Sequence, residues 1–204
     1  MPLNTLKHTH IHSSPKKMKN RITFLFTILF CALLASCMKE QLEATYNKQE
    51  DQIDQYITKN MIVRNDQGES DTLRVVRNDG ANRLVLKEGS GDALEADGYV
   101  SFYYAGYTFS GGVSASNLFC TNRAATAEES GWNMEEFEGE LHEISLKDAE
   151  LIEGLRKGLM GVRTGEECEI IFSAKYGFGN KSLGTIPAKT ALRYKIWVMG
   201  VTND

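Results

Sequence analysis

Apolar residues recur along this chain with different periods, and each period predicts a kind of element. From Ile22 to Leu33 they dominate a run of about a dozen residues. Ile53, Tyr56, Ile57 and Met61 recur at spacings of three and four within an otherwise polar stretch, which predicts a short helix inside residues 38–60. That helix reads as a partly docked spacer, the alternative being a fully solvated one. Residues 64–72 are polar and read as a loop. Leu73–Val76 and Leu84–Leu86 flank Asn78-Asp79-Gly80, and Asp-Gly between two apolar runs predicts a hairpin. Residues 99–107, rich in aromatic and β-branched side chains, give the strongest strand signal. Gly106 either ends its regular pairing or permits a close approach.

Later in the chain the period changes. Leu151, Ile152, Leu155 and Leu159 fall on one side of a helix expected over 148–160, with Asp148 and Glu150 at the end where free backbone N–H groups favour negative charge. Gly161 is its stop. Gly154 and Gly158 each cost such a helix about 1 kcal/mol relative to alanine, so another element, expected to be a sheet, lies close against their face. Cys168, Ile170 and Phe172 alternate with Glu167, Glu169 and Ile171, and Tyr194, Ile196 and Val198 repeat the alternation, which predicts two half-buried strands. Between Asn122 and Leu141 lies an acidic segment carrying Trp132 and Phe137. It reads as a solvated loop pinned by those aromatics rather than as a partner-binding flap.

Composition narrows the function classes. With 204 residues, 42% hydrophobic and 25% charged, the chain has room for one globular domain and an extension. Lys16, Lys17, Lys19 and Arg21 precede the first apolar run, which is short for a membrane span, and Leu34-Ala35-Ser36-Cys37 follows it. This order is that of an export signal ending in a lipobox, with Cys37 as the lipidated residue and Met18 as an alternative start. The expected location is a bacterial cell envelope, outer membrane or periplasm-facing, with the lipid as the membrane contact. Removing residues 1–37 takes away five basic residues and no acid, leaving 18 basic against 27 acidic, a net charge of −9. Such a balance argues against nucleic acid as a partner.

Cys31, Cys37, Cys120 and Cys168 include no C-x-x-C pair and no adjacent histidine, so neither a zinc site nor disulfide chemistry is expected, and Cys120 and Cys168 should be free thiols. The tract His8-Thr9-His10-Ile11-His12 falls within the segment lost on processing. Gly177-Phe178-Gly179-Asn180-Lys181-Ser182 lacks the Gly-Lys-Ser ending and the strand–loop–helix context of a phosphate loop. No cofactor is indicated.

Several spaced motifs together resemble the FKBP-type peptidyl-prolyl cis-trans isomerases: Val100-x-x-x-Tyr104-x-Gly106, Leu151-Ile152-x-Gly154, Gly158-Leu159, Gly165-Glu166, Tyr176-Gly177-Phe178-Gly179, Ile186-Pro187 and a final aromatic strand. The resemblance covers residues 85–204. It implies an α+β fold, a curled antiparallel sheet of about five strands packed on one short helix, here preceded by a signal over 1–37 and a helical tether with its extension over 38–84. It also implies a pocket for proline-containing polypeptides. Tyr104 and Phe119 would form one wall, Leu151 and Ile152 another, Leu155 the floor, Phe178 and Ile186 the loop side and Tyr194 the last aromatic, while the Ile152 N–H grips a substrate carbonyl. Three positions depart from the family pattern. Phe178 stands where a tyrosine hydroxyl often bonds substrate, Cys120 where an aspartate is usual, and Leu155 where a tryptophan is frequent. An isomerase needs no acid, base or metal, because an apolar cavity favours the twisted imide over the charge-separated planar one. The same departures leave room for a non-catalytic, client-binding lipoprotein on this fold.

Overall fold

The structure, a computed structural model, describes residues 15–64, 68, 70–112 and 114–203, with side chains from Met38 onward. The histidine tract at residues 8–12 lies outside the described residues, and so does the Cys37 side chain. The chain divides between Ala44 and Thr45 into two units, and the second carries the sheet.

In chain order the elements are α1 (Pro15–Asn60), β1 (Ile62–Arg64), β2 (Ser70–Thr72), β3 (Val75–Asn78), β4 (Ala81–Lys87), β5 (Tyr99–Phe109), β6 (Leu118–Thr121), α2 (Ala124–Glu129), β7 (His142–Ser145), α3 (Glu153–Leu159), β8 (Glu167–Phe172) and β9 (Ala191–Thr202). The fold is α+β. A curled antiparallel sheet runs β3-β4-β8-β9-β5-β6, and β7 shares the outer edge of β5 with β6. Its seven strands among the described residues exceed the five expected, because two four-residue strands cover the edge of β5. The Asp-Gly hairpin forms as expected, joining β3 to β4. Asp79 and Gly80 both have positive φ, 44° and 93°, as a two-residue turn matched to the strand twist requires. Part of the loop expected over 64–72 is strand, since Ser70–Thr72 pairs with Ile62–Arg64. Strand β4 runs through the boundary expected at residue 85.

The sheet is covered on both faces at β8, where Cys168–Phe172 are all buried rather than alternating as predicted, whereas β9 keeps the predicted alternation, with Tyr194, Ile196 and Val198 buried and Lys195, Trp197 and Met199 more accessible. One face carries Phe102, Ile170, Phe172, Tyr194 and Ile196 and packs on Leu155 and Leu159 of α3. The other carries Phe109, Ile171 and Ala191 and packs on Ile53 and Ile57 of α1, both essentially inaccessible to solvent. The stretch read as a partly docked spacer is therefore an integral layer. Polar groups on that face are satisfied in place. Arg193 Nε donates to Glu169 Oε2 at 2.9 Å, a second guanidinium nitrogen meets the other carboxylate oxygen, and the Tyr56 hydroxyl donates to Glu169 Oε2 at 3.0 Å.

Helix α3 is shorter than the 148–160 expected. Asp148 Oδ1 accepts the Glu150 N–H at 2.9 Å, which stabilises a turn in place of a first helical turn, and Ile152 is extended at φ −58°, ψ 141°. The helix stops as expected at Gly161, whose φ of 77° is left-handed. Buried Arg83 caps its end, donating to the carbonyls of Gly158 at 2.8 Å and Met160 at 2.7 Å. The two helix glycines press on the sheet. A Cβ on Gly154 would lie 2.3 Å from the Phe172 ring, and one on Gly158 would lie 2.1 Å from Ile170 Cγ2.

Candidate active site

Between the inner face of the sheet and the turn leading into α3 lies a cavity of about 370 Å³. Strand β5 supplies Phe102 and Tyr104, β6 supplies Cys120, β7 supplies His142 and Ile144, β9 supplies Tyr194, and the loop after β8 supplies Phe178. Leu151, Ile152 and Leu155 close it from the α3 side, with Asp148 and Glu150 exposed at the rim. A larger polar cleft, about 460 Å³, at the far ends of β5 and β9 shares none of these residues.

The walls are positioned by backbone. Tyr104 donates its N–H to Asn122 Oδ1 at 2.6 Å, and its carbonyl accepts the Thr121 hydroxyl at 2.6 Å. Buried Asn122 also donates to the Glu140 carbonyl at 2.8 Å, so one side chain ties the start of the acidic segment to its end and to the wall strand. Gly106 explains how the aromatic side chains approach β5. A Cβ there would lie 2.7 Å from Cys120 Sγ and 2.9 Å from both Phe119 and Tyr194. The Tyr194 ring stacks on Phe172 at 6.1 Å and 13°, takes Phe119 edge-on at 5.9 Å, and lies 6.4 Å from Tyr104.

Of the expected pocket residues, Tyr104, Cys120, Leu151, Ile152, Leu155, Phe178 and Tyr194 come together around the cavity. Phe119 and Ile186 do not line it. Phe119 buttresses Tyr194, and Ile186 is buried in the core, exchanging backbone hydrogen bonds with Leu183. Phe102, His142, Ile144, Asp148 and Glu150 were missed. Phe102 was legible, because it alternates with Tyr104 on one strand face. His142 was not, because it sits on a four-residue strand in a polar stretch; its ring meets Phe102 at 5.6 Å and Tyr104 at 6.0 Å.

Burial keeps the Cys120, Tyr104 and Tyr194 wall groups in their uncharged forms. Burial pushes the Cys120 thiol up to about 12, against the opposing effect of its hydrogen bond with the Gly106 backbone. Burial, and then the Cys120 thiol, push the Tyr104 and Tyr194 hydroxyls upward as well. Cys120 and Cys168 are free. The Ile152 N–H faces the approach to α3 with no hydrogen-bond partner among the described residues. The inner walls are thus aromatic and aliphatic, with the carboxylates of Asp148 and Glu150 at the rim. Such a site can shelter an apolar ring and prefer a less polar state of a bound group over a charge-separated one.

Comparison with known proteins gives one consistent result. Residues 95–199 match the sequence model of the family described as FKBP-type peptidyl-prolyl cis-trans isomerase. The chain is 24% identical over 122 residues to FK506-binding protein 1 of Aspergillus oryzae, covering 60% of this chain and 98% of that protein. It is 25% identical over 122 residues to FK506-binding protein 5 of Rhizopus delemar, covering 59% of this chain but only 27% of that longer protein. A crystal structure of a peptidyl-prolyl cis-trans isomerase from Pseudomonas syringae pv. tomato shares the fold, with a TM-score of 0.52 and 17% identity over 79% of this chain and 96% of that one.

Proposed function

The chain belongs to the family of FKBP-type peptidyl-prolyl cis-trans isomerases, and from that premise we propose that the cavity between β5, β9 and the approach to α3 twists X-Pro bonds of exported polypeptides, at a membrane reached through lipid on Cys37. The observation that carries the site is the aromatic enclosure itself, built from Tyr104, Phe178 and Tyr194 around Leu155. Rotation about an X-Pro bond faces a barrier of about 18–20 kcal/mol, most of it amide resonance. The planar imide is charge-separated and the twisted one is less so, so a dry cavity raises the first relative to the second. The free N–H of Ile152 holds a flanking carbonyl and orients the peptide.

Support for the anchor is the order of basic residues, apolar run and Leu34-Ala35-Ser36-Cys37 in the sequence. Cys37→Ser should move the protein from the membrane fraction to the soluble one. Equal membrane association of both forms would remove the anchor from the reading.

Catalysis is tested on the full chain in detergent by exchange spectroscopy with Leu-Pro and Phe-Pro peptides. Acceleration that disappears in Tyr104→Ala supports the site, and a folded wild-type chain that accelerates neither peptide refutes it. A client-binding role without turnover is the second reading. It is favoured by the absence of a hydroxyl on Phe178 and of a carboxylate at Cys120, and it predicts client capture that survives Tyr104→Ala but not deletion of residues 123–141.

A further inference from the structure

Tyr194 is only 6% exposed, yet it lines the cavity, and its hydroxyl has no hydrogen-bond partner among the described residues. The hydroxyl oxygen is not among the buried polar atoms left without a partner, so on a ring that is otherwise buried it is the part that the cavity leaves accessible. The ring is also held rigidly. Residue 194 pairs with Gly106 on one side and Ile170 on the other, in the middle of the sheet, and its ring is fixed between Phe172 and Phe119. A rigid polar atom open to a largely apolar cavity, with no partner inside the protein, is placed for whatever enters the cavity.

We propose that the Tyr194 hydroxyl donates a hydrogen bond to the prolyl nitrogen of the substrate as the X-Pro bond twists. The inference rests on this cavity being the isomerase site. The pyrrolidine ring is the apolar part of an X-Pro segment and goes deepest, and the imide nitrogen is an atom of that ring. The deep donor therefore meets the nitrogen, while the half-buried Ile152 N–H meets a carbonyl nearer the rim.

The choice of atom decides the sign of the effect. In the planar imide the nitrogen lone pair is delocalised and accepts poorly, and in the twisted imide it is localised and accepts well. A donor to nitrogen is thus felt chiefly in the transition state, whereas a donor to the imide oxygen would hold the planar form. The proton stays on the phenol oxygen throughout. Phe178 brings no hydroxyl, Cys120 only a weak thiol donor, and the Tyr104 phenol sits on a ring that is only half-buried, so Tyr194 is the most deeply buried phenol donor of this pocket. Burial keeps the phenol protonated well above neutral pH, so the donor persists across the working range.

The test is Tyr194→Phe in the full chain in detergent, with kcat and KM for a Leu-Pro peptide from exchange line shapes. The expected result is a fall in kcat of about three- to tenfold with KM unchanged, the size of one hydrogen bond made only in the transition state. Thermal stability should be equal or higher, because no internal bond is lost, whereas a purely structural hydroxyl would show the reverse pattern. A difluorinated tyrosine at 194, a stronger donor of nearly the same shape, should raise kcat. Unchanged kcat in Tyr194→Phe, or a change confined to KM, overturns the proposal while the wild type remains active. An inactive wild type overturns the reading of the site, and this proposal with it.

Discussion

Gly158→Ala sets two effects of opposite sign against each other, and the structure says which prevails. Helix propensity favours alanine by about 0.8–1.0 kcal/mol. Packing opposes it, because the new Cβ would lie 2.1 Å from Ile170 Cγ2, where carbon atoms normally rest about 3.5–4.0 Å apart. The helix and sheet must then separate by more than about 1 Å. Ile170 cannot retreat, since it is fully buried on β8 with β4 and β9 paired on either side. Separation would also loosen Leu155 and Leu159, which share the interface. Overpacking of this kind costs about 1–3 kcal/mol and any parting of α3 from the sheet adds to it, so the net effect is a destabilisation of about 1–2 kcal/mol. The cycle with Ile170→Ala isolates the contact. That substitution alone costs about 2–5 kcal/mol, but in its background Gly158→Ala should be neutral or stabilising, a coupling of about 1–3 kcal/mol. Urea unfolding followed by circular dichroism gives all four stabilities. Stabilisation by Gly158→Ala in the wild-type background, or an equal cost in both, would refute the argument.

Two further outcomes follow from burial. Ile57→Ala should cost about 2–5 kcal/mol, as for any enclosed core residue, and a loss below about 0.5 kcal/mol would mean that α1 is only a spacer. Alkaline pH should destabilise the fold. Burial raises the Cys120 thiol from 9.0 to about 12 and moves the Cys168 thiol in the same direction. Each thiol thus contributes stability that is fully present below about pH 9 and is lost as pH rises from there toward the folded value, at up to about 1.4 kcal/mol per pH unit. Cys168→Ala should make the decline between about pH 9 and 11 shallower by one thiol's share, and an unchanged slope would contradict the assignment.

How far the sequence could be read depended on how local each signal was. Asp79-Gly80 specified its turn because the required positive φ angles are a property of those two residues, and Gly154 and Gly158 announced a close neighbour because nothing else justifies two glycines in a seven-residue helix. Ile171 could not be read correctly by alternation, since it looked like the odd residue on a solvent face until α1, more than a hundred residues upstream, covered it. The early start of α3 was misjudged for a related reason. Asp148 and Glu150 suit a helix start by charge, but the side chain of Asp148 closes a competing turn on the Glu150 N–H. Within the pocket, residues on strongly patterned strands were legible, whereas His142 and Ile144 depend on β7, whose pairing with β5 leaves little trace in four residues.

Strand β9 follows every other element described and lies in the interior of the sheet, paired along its length with β5 on one side and over Leu192–Trp197 with β8 on the other. Neither neighbour can complete its ladder without it, and the apolar face of α1 has Ala191 of β9 among its partners. Assembly therefore waits on the arrival of residues 191–202, however early the upstream elements emerge from a ribosome. A chain halted before Ala191 would expose the α1 stripe and two unpaired strand edges at once, which makes it a client for the cell's own chaperones rather than a partly working enzyme.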